Sequence, residues 1–210
     1  MSWTKENIVT VILFILHAVG GLALSFESLK PLFLSLTPMN LTLSFLLLVW
    51  ANNDFSFNFY KVISFLFIIG YLVEVLGVYS GVLFGEYDYG ATLGFQLLEV
   101  PIIIGINWIL LAVSSFAVSS YFVTKPIYKI VLSSVIMVLL DLMIEPVAIR
   151  LDFWHWQGGA IPTQNYIMWF LVAMFMNWIL SFNRIKFNAK LGFGLIISQV
   201  LFFTLQSFNF

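Results

Sequence analysis

Apolar residues run along the chain in seven long stretches, at about 7–25, 31–51, 61–80, 95–121, 127–149, 163–183 and 191–208. Each approaches the about 20 residues that carry a helix across a bilayer core. Within them the apolar positions are continuous rather than alternating, as at 62–69, which speaks against a β-barrel. In lipid every backbone polar group must be paired within its own segment, so the spans are expected to be helices. The pattern predicts an all-α polytopic membrane protein with about seven transmembrane helices in a single domain over 1–210. Two stretches are irregular. The second begins Lys30-Pro31 and contains Thr37-Pro38, so its first turns are expected to be broken, and the fourth carries Pro101 near its start. The first has Lys5 and Glu6 before it. It is longer than the apolar region of a cleavable signal and no A-x-A site follows, so it reads as a span.

Charge sets the expected orientation. With seven spans, Lys5, Lys61, Lys125, Lys129, Arg184, Lys186 and Lys190 fall on one side, and Lys30 and Arg150 on the other. Basic residues mark the cytoplasmic side, which predicts a cytoplasmic N-terminus and an outside C-terminus. Two longer loops, at about 80–94 and 150–162, then lie outside. Composition closes off other classes. The 210 residues are 61% hydrophobic and 9% charged, with a mean hydropathy of +1.03. A soluble domain carries about 25% charged residues, so a soluble enzyme, a disordered chain and a nucleic-acid binder are excluded. Cys is absent, which removes disulfides, thiolate nucleophiles and Cys-ligated metals. Two His cannot make a three-His zinc site. His17 reads as a packed, neutral interhelical residue, and His155 as a candidate proton shuttle.

Four acids fall inside these spans: Glu74, Glu99, Asp141 and Glu145. Each costs about 2.5–3.5 kcal/mol to insert, so such residues mark functional sites unless they are paired. The orientation puts all four in the outer half of the bilayer. Asp141 and Glu145 lie one turn apart on one helix face. Gln96, Glu99, Ile103 and Asn107 are expected to share a face of the fourth span. Arg150 is the nearest candidate counter-charge. The structural alternative is that Asp141 bonds a neighbouring helix and Glu145 pairs with Arg150. The functional reading is that carboxyl groups without counter-charges hold protons for delivery, as a general acid or relay requires. Tyr87, Tyr89, Trp154, Trp156 and Trp169 sit at this level. They serve either as interfacial anchors or as a pocket lining whose π faces stabilise a developing cation. Pro146 after Glu145 frees the Leu142 carbonyl. Asn107, Asn165 and Asn177 suit interhelical bonds as well as substrate contacts.

A faint internal echo runs through the chain. Gly105-Ile106-Asn107-Trp108-Ile109-Leu110 returns as Phe175-Met176-Asn177-Trp178-Ile179-Leu180. Each is preceded by an aromatic outer loop and, before that, by a span with an acid near its outer end. Residues 61–121 and 127–183 are therefore candidate parallel repeats; the alternative is coincidence in an aromatic-rich chain.

The residues also resemble a family. One block is Phe84-Gly85-x-Tyr87-x-Tyr89, with Gly94, Val100-Pro101 and Asn107-Trp108. The other is Asp141-Leu142-x-x-Glu145-Pro146-Val147, Trp154-x-Trp156, Gly159-x-Ile161-Pro162, Asn165 and Trp169. Together they resemble the integral-membrane carotenoid biosynthesis proteins of the carotenoid 1,2-hydratase type, which include γ-carotene 1′-hydratases and bisanhydrobacterioruberin hydratases. One departure is Glu145, where the family favours Asp. The resemblance implies hydration of the terminal C1=C2 bond of an acyclic ψ end group to a tertiary alcohol, with no cofactor and no metal. It implies a carotenoid, water and the bilayer as partners, contact with other enzymes of the pathway, and a multi-pass place in a bacterial or archaeal cell (inner) membrane. Under it Asp141, Glu145, Glu99 and Glu74 are the catalytic candidates. Tyr87, Tyr89, Trp154, Trp156, Asn107, Asn165 and Trp169 are the substrate-binding candidates. Two other readings stand beside it. A membrane lycopene-type β-cyclase would use the same acid on the same end group but exclude water, and a proton-coupled transporter would need no chemistry. A retinal protein is rejected, because the last span has only Lys190, at its edge.

Overall fold

The computed structural model describes residues 3–208. Its order is α1 (Lys5–Ala23), α2 (Lys30–Ser35), α3 (Thr37–Asn52), α4 (Phe57–Ser80), β1 (Tyr87–Tyr89), β2 (Gln96–Leu97), β3 (Val100–Pro101), α5 (Ile103–Phe122), α6 (Pro126–Arg150), β4 (Trp154–Trp156), α7 (Thr163–Phe182) and α8 (Ala189–Phe208). Among the described residues six helices (α1 and α4 to α8) are long and apolar enough to cross a membrane. Local chemistry sets their ends. Thr4 and Ser56 accept from the first-turn amides of Asn7 and Phe59, and Gly81 closes α4 in the left-handed region. Pro126 stands at the first position of α6, where its missing N–H is no loss.

The fold is a helical bundle around α5. That helix is apolar on every side and is covered by α4, α6, α7, α8 and α3. The faces of the outer helices that carry Phe14, Ile15, Leu72, Leu76, Leu139 and Leu171 remain exposed, as a bilayer allows.

The second stretch is broken near its start, as its prolines predict, and the reading of the fourth needs correction. The second stretch is not one helix: Leu36 ends α2 and Pro38 opens α3, because a proline has no amide to continue the ladder. With 16 residues α3 is shorter than the six long helices. It still runs the same way through the bundle, since Asn52 at its end donates to the Lys186 carbonyl at 3.3 Å and accepts from the Asn188 amide at 2.9 Å, between α7 and α8. The fourth stretch becomes helical only at Ile103. Residues 96–101 form a hairpin in which Gln96 pairs with Pro101 and Leu97 with Val100. The two turn residues, Leu98 and Glu99, have φ of 52° and 61°, the mirror-image turn that suits the twist of a tight hairpin. Pro101 therefore lies in a strand and kinks no helix. The shared face proposed for Gln96, Glu99, Ile103 and Asn107 does not exist.

The bundle has two distinct ends. At one, Lys190 Nζ donates to Asn7 Oδ1 at 2.6 Å; at the other, Gln206 Nε2 donates to the Gly21 carbonyl at 2.7 Å. Thus α1 and α8 run parallel, and residues 3 and 208 stand at opposite ends. The four strands all lie at the second end. We propose, from the basic-residue count, that this end is the outer one. A reporter fused after Phe210 is expected to read as non-cytoplasmic; a cytoplasmic signal would invert this orientation.

Candidate active site

The loops at the outer end are tied together by β1 and β4. These pair antiparallel, with Tyr87 opposite Trp156 and Tyr89 opposite Trp154. Because strand side chains alternate, the four aromatics face inward, and Asp88 and His155 share the other face. His155 lies 3.5 Å from Asp88 and 3.2 Å from Asp152, well exposed, as part of the outer cover rather than of the acid cluster.

Under this cover stand three buried carboxyl groups. Glu74, late in α4, receives three donors. The Tyr87 and Tyr89 hydroxyls donate to its Oε2 at 2.5 and 2.8 Å, and Trp108 Nε1 donates to its Oε1 at 2.8 Å. Glu145 on α6 also receives three. Trp154 and Trp156 donate to its Oε2 at 3.0 and 2.8 Å, and Asn165 Nδ2 donates to its Oε1 at 3.0 Å. Asp141, one turn earlier and fully buried, accepts at Oδ2 from the same Asn165 amide at 3.0 Å. Its Oδ1 is buried with no partner.

Two glycines on the Glu74 face of α4 make these contacts possible. A Cβ on Gly70 would come within 2.5 Å of the Trp108 Cβ, and one on Gly77 within 2.9 Å of the Tyr87 hydroxyl. At positions 70, 74 and 77 the helix thus presents a narrow cleft with Glu74 between its walls.

The donors and acceptors around the acids differ. An indole N–H and an amide N–H only donate, so Glu145 acts purely as an acceptor and is suited as a carboxylate. Burial, and then the nearby Glu74 charge, push the Tyr87 and Tyr89 hydroxyls well above the ordinary phenol range. Both therefore stay protonated and keep donating to Glu74. Asp141 differs: its Oδ1 has neither a donor nor an acceptor beside it.

The rings close the site. Trp108 stacks on Trp169 at 4.2 Å, and Tyr87 lies against Trp156 at 5.1 Å. Between Glu74 and Glu145 a space of about 20 Å³ remains, bounded also by Asn107, Trp154, Asn165 and Trp169 among others. It has room for one water molecule.

Of the residues singled out from sequence, Glu74, Asp141, Glu145, Tyr87, Tyr89, Trp154, Trp156, Asn165, Asn107 and Trp169 meet here. Glu99 does not: it is exposed at the hairpin turn. Arg150, the expected counter-charge, donates to the Pro146 carbonyl at 3.1 Å and to the Gln206 carbonyl on α8 at 2.8 Å, while the Glu145 oxygens are taken by indole and amide donors. Asn177 donates to the Ala173 carbonyl at 2.8 Å in the core. Trp108 is a site residue that sequence reasoning does not reach. It adjoins Asn107 in the chain, but a helix starting at 95 gives no reason to aim it at Glu74. Among the described residues no group of three His, Asp or Glu is arranged to hold a metal ion.

The fold and site define a polytopic membrane protein with a cluster of buried carboxyl groups under an aromatic cover. The chain belongs to the carotenoid biosynthesis protein family, which matches residues 41–206. Over 109 residues it is 28% identical to the bisanhydrobacterioruberin hydratase of Haloarcula japonica; the match covers 48% of this chain and 37% of that protein. The aligned stretch thus spans little more than a third of the relative's length. No solved structure matches the chain.

Proposed function

We propose that the protein is a hydro-lyase that adds water across the terminal C1=C2 double bond of an acyclic carotenoid end group, giving a tertiary alcohol. The observation that carries this reading is the unequal pair of carboxyl groups on α6. Glu145 is surrounded by donors, and Asp141 has an oxygen left without one. Asp141 delivers a proton to C2 of the alkene, and the electron pair of the double bond forms the new C–H bond. The tertiary cation at C1 is stabilised by the aromatic faces of the cover and by the nearby Glu74 and Glu145 carboxylates, and the space between those two acids holds the attacking water. A water then forms the C–O bond and yields its proton to Glu145. That proton returns to Asp141 one helical turn away, so the net change is the addition of one water. No electron acceptor or donor is consumed.

The site lies near the outer end of the bundle, and a carotenoid is about as long as the ~30 Å bilayer core is thick. The end group thus reaches the acids while the polyene stays among the helices. The relative's name as a hydratase supports the same chemistry. The geometry also supports reading 61–121 and 127–183 as repeats, since β1 meets β4 antiparallel and each half supplies one acid capped by a pair of aromatic donors. The membrane is the cell (inner) membrane under this reading.

Expression in a cell that makes lycopene or γ-carotene, followed by mass spectrometry of the pigments, tests the proposal. A mass gain of one water is expected. An unchanged mass with altered absorption would show cyclisation instead, and unaltered pigment would remove the catalytic reading.

A further inference from the structure

A cavity of about 250 Å³ lies among α1, α3, α5 and α8. Ile104, Asn107 and Trp154 line both this cavity and the space between the acids, so the two share a wall. On its lipid side the cavity is bounded by Ile15, Val19 and Met39, all about half exposed. It is apolar except for a few side chains, and two of these carry a buried oxygen without a partner. Gln199 is only 3% exposed, yet its Oε1 accepts no hydrogen bond. The Oδ1 of Asn40 is likewise buried without a donor. The ring of His17 meets the Leu13 carbonyl through Nδ1 at 2.8 Å. A carbonyl only accepts, so Nδ1 carries the proton, and Nε2 of the neutral ring is an acceptor. The two amide oxygens lack a donor and Nε2 of His17 can accept one, and a hydrocarbon chain supplies none. Buried carbonyl oxygens are otherwise almost always paired.

We infer that this cavity seats the isoprenoid chain next to its reacting end, and that its His17–Asn40–Gln199 side is a hydroxyl subsite. An O–H group donates there to Gln199, brought either by a hydroxyl on the carotenoid chain or by a water that enters with it. The inference rests on the proposed hydratase reading for the identity of the chain. It goes beyond that reading in naming a second polar contact, one the acids do not make, which selects among acyclic carotenoids.

The test compares wild type with Gln199→Met and Asn40→Leu. Each is given an acyclic carotenoid hydrocarbon and an analogue carrying one tertiary hydroxyl near the reacting end. Conversion is measured in membranes, and pigment binding by absorbance on the purified protein. If the substrate supplies the hydroxyl, Gln199→Met lowers binding and conversion of the hydroxylated analogue about tenfold and leaves the hydrocarbon near wild type, as loss of one hydrogen bond predicts. If water supplies it, both pigments lose by the same factor, with KM raised and Tm unchanged. Wild-type behaviour of both variants toward both pigments would overturn the subsite. Should Gln199→Met fail to accumulate, Asn40→Leu, at a less buried position, carries the same comparison. A wild-type protein that binds pigment selectively but hydrates none defeats the hydratase reading and leaves the subsite standing.

Discussion

Asp141→Asn is expected to lower hydration by about 10²- to 10⁴-fold, the range that a positioned general acid contributes, while the protein still accumulates in the membrane. The substitution keeps shape and volume. The amide oxygen of the new side chain can still accept from the Asn165 amide, so the contact between α6 and α7 survives. What is lost is the carboxyl proton that the proposed mechanism delivers, at the side chain whose Oδ1 has no partner. Pigment analysis and an immunoblot of the membranes measure the two quantities together. Turnover within a fewfold of wild type would remove Asp141 from the reaction and move the proton donor to Glu74 or Glu145.

Glu145→Gln is expected to cost about 10²-fold, through a different step. The two carboxylate oxygens of Glu145 receive three N–H groups, and hydrogen bonds to a charged group are worth about 1.5–3 kcal/mol each. The substituted side chain offers the indoles one oxygen and turns its own amide N–H toward the Asn165 amide, so two donors face each other. The anion beside the developing cation and the base for the attacking water are both gone. Asp141 keeps its proton, however, so the cation still forms, and it reverts to an alkene when a geminal methyl C–H bond breaks and that proton goes to the Asp141 carboxylate, leaving the delivered hydrogen at C2. Recovered carotenoid from D₂O should therefore carry deuterium with Glu145→Gln and none with Asp141→Asn. The reverse pattern would exchange the roles of the two acids.

Much of this architecture is legible in the sequence, for a physical reason. Lipid makes a helix and its apolar run the same length, so the long spans show directly. Asp141 and Glu145 are four residues apart, and helical spacing alone puts them on one face. Their joint contact with Asn165 follows from where α7 packs, which no local pattern reveals. The hairpin at 96–101 is hidden because its residues are apolar enough to extend the next span. Its turn also uses Leu98 and Glu99 in a conformation usually marked by Gly or Asn. Reading those residues as helix places Glu99 in the membrane and leaves Trp108 without a direction. The cleft that admits Trp108 and Tyr87 to Glu74 depends on Gly70 and Gly77, whose role shows only once α5 and the outer loop are in place. Likewise His17 looks like ordinary interhelical packing until Gln199 and Asn40 join it around one cavity.

The central claim is that a protonated carboxyl starts the reaction and water supplies the oxygen. Its most direct test is an isotope experiment on membranes containing the protein, under anaerobic conditions with a chelator present. In ¹⁸O-labelled water the tertiary alcohol should carry the label, and in D₂O one deuterium should appear at C2. Failure of the reaction until O₂ is admitted, or its loss on chelation, would contradict the account.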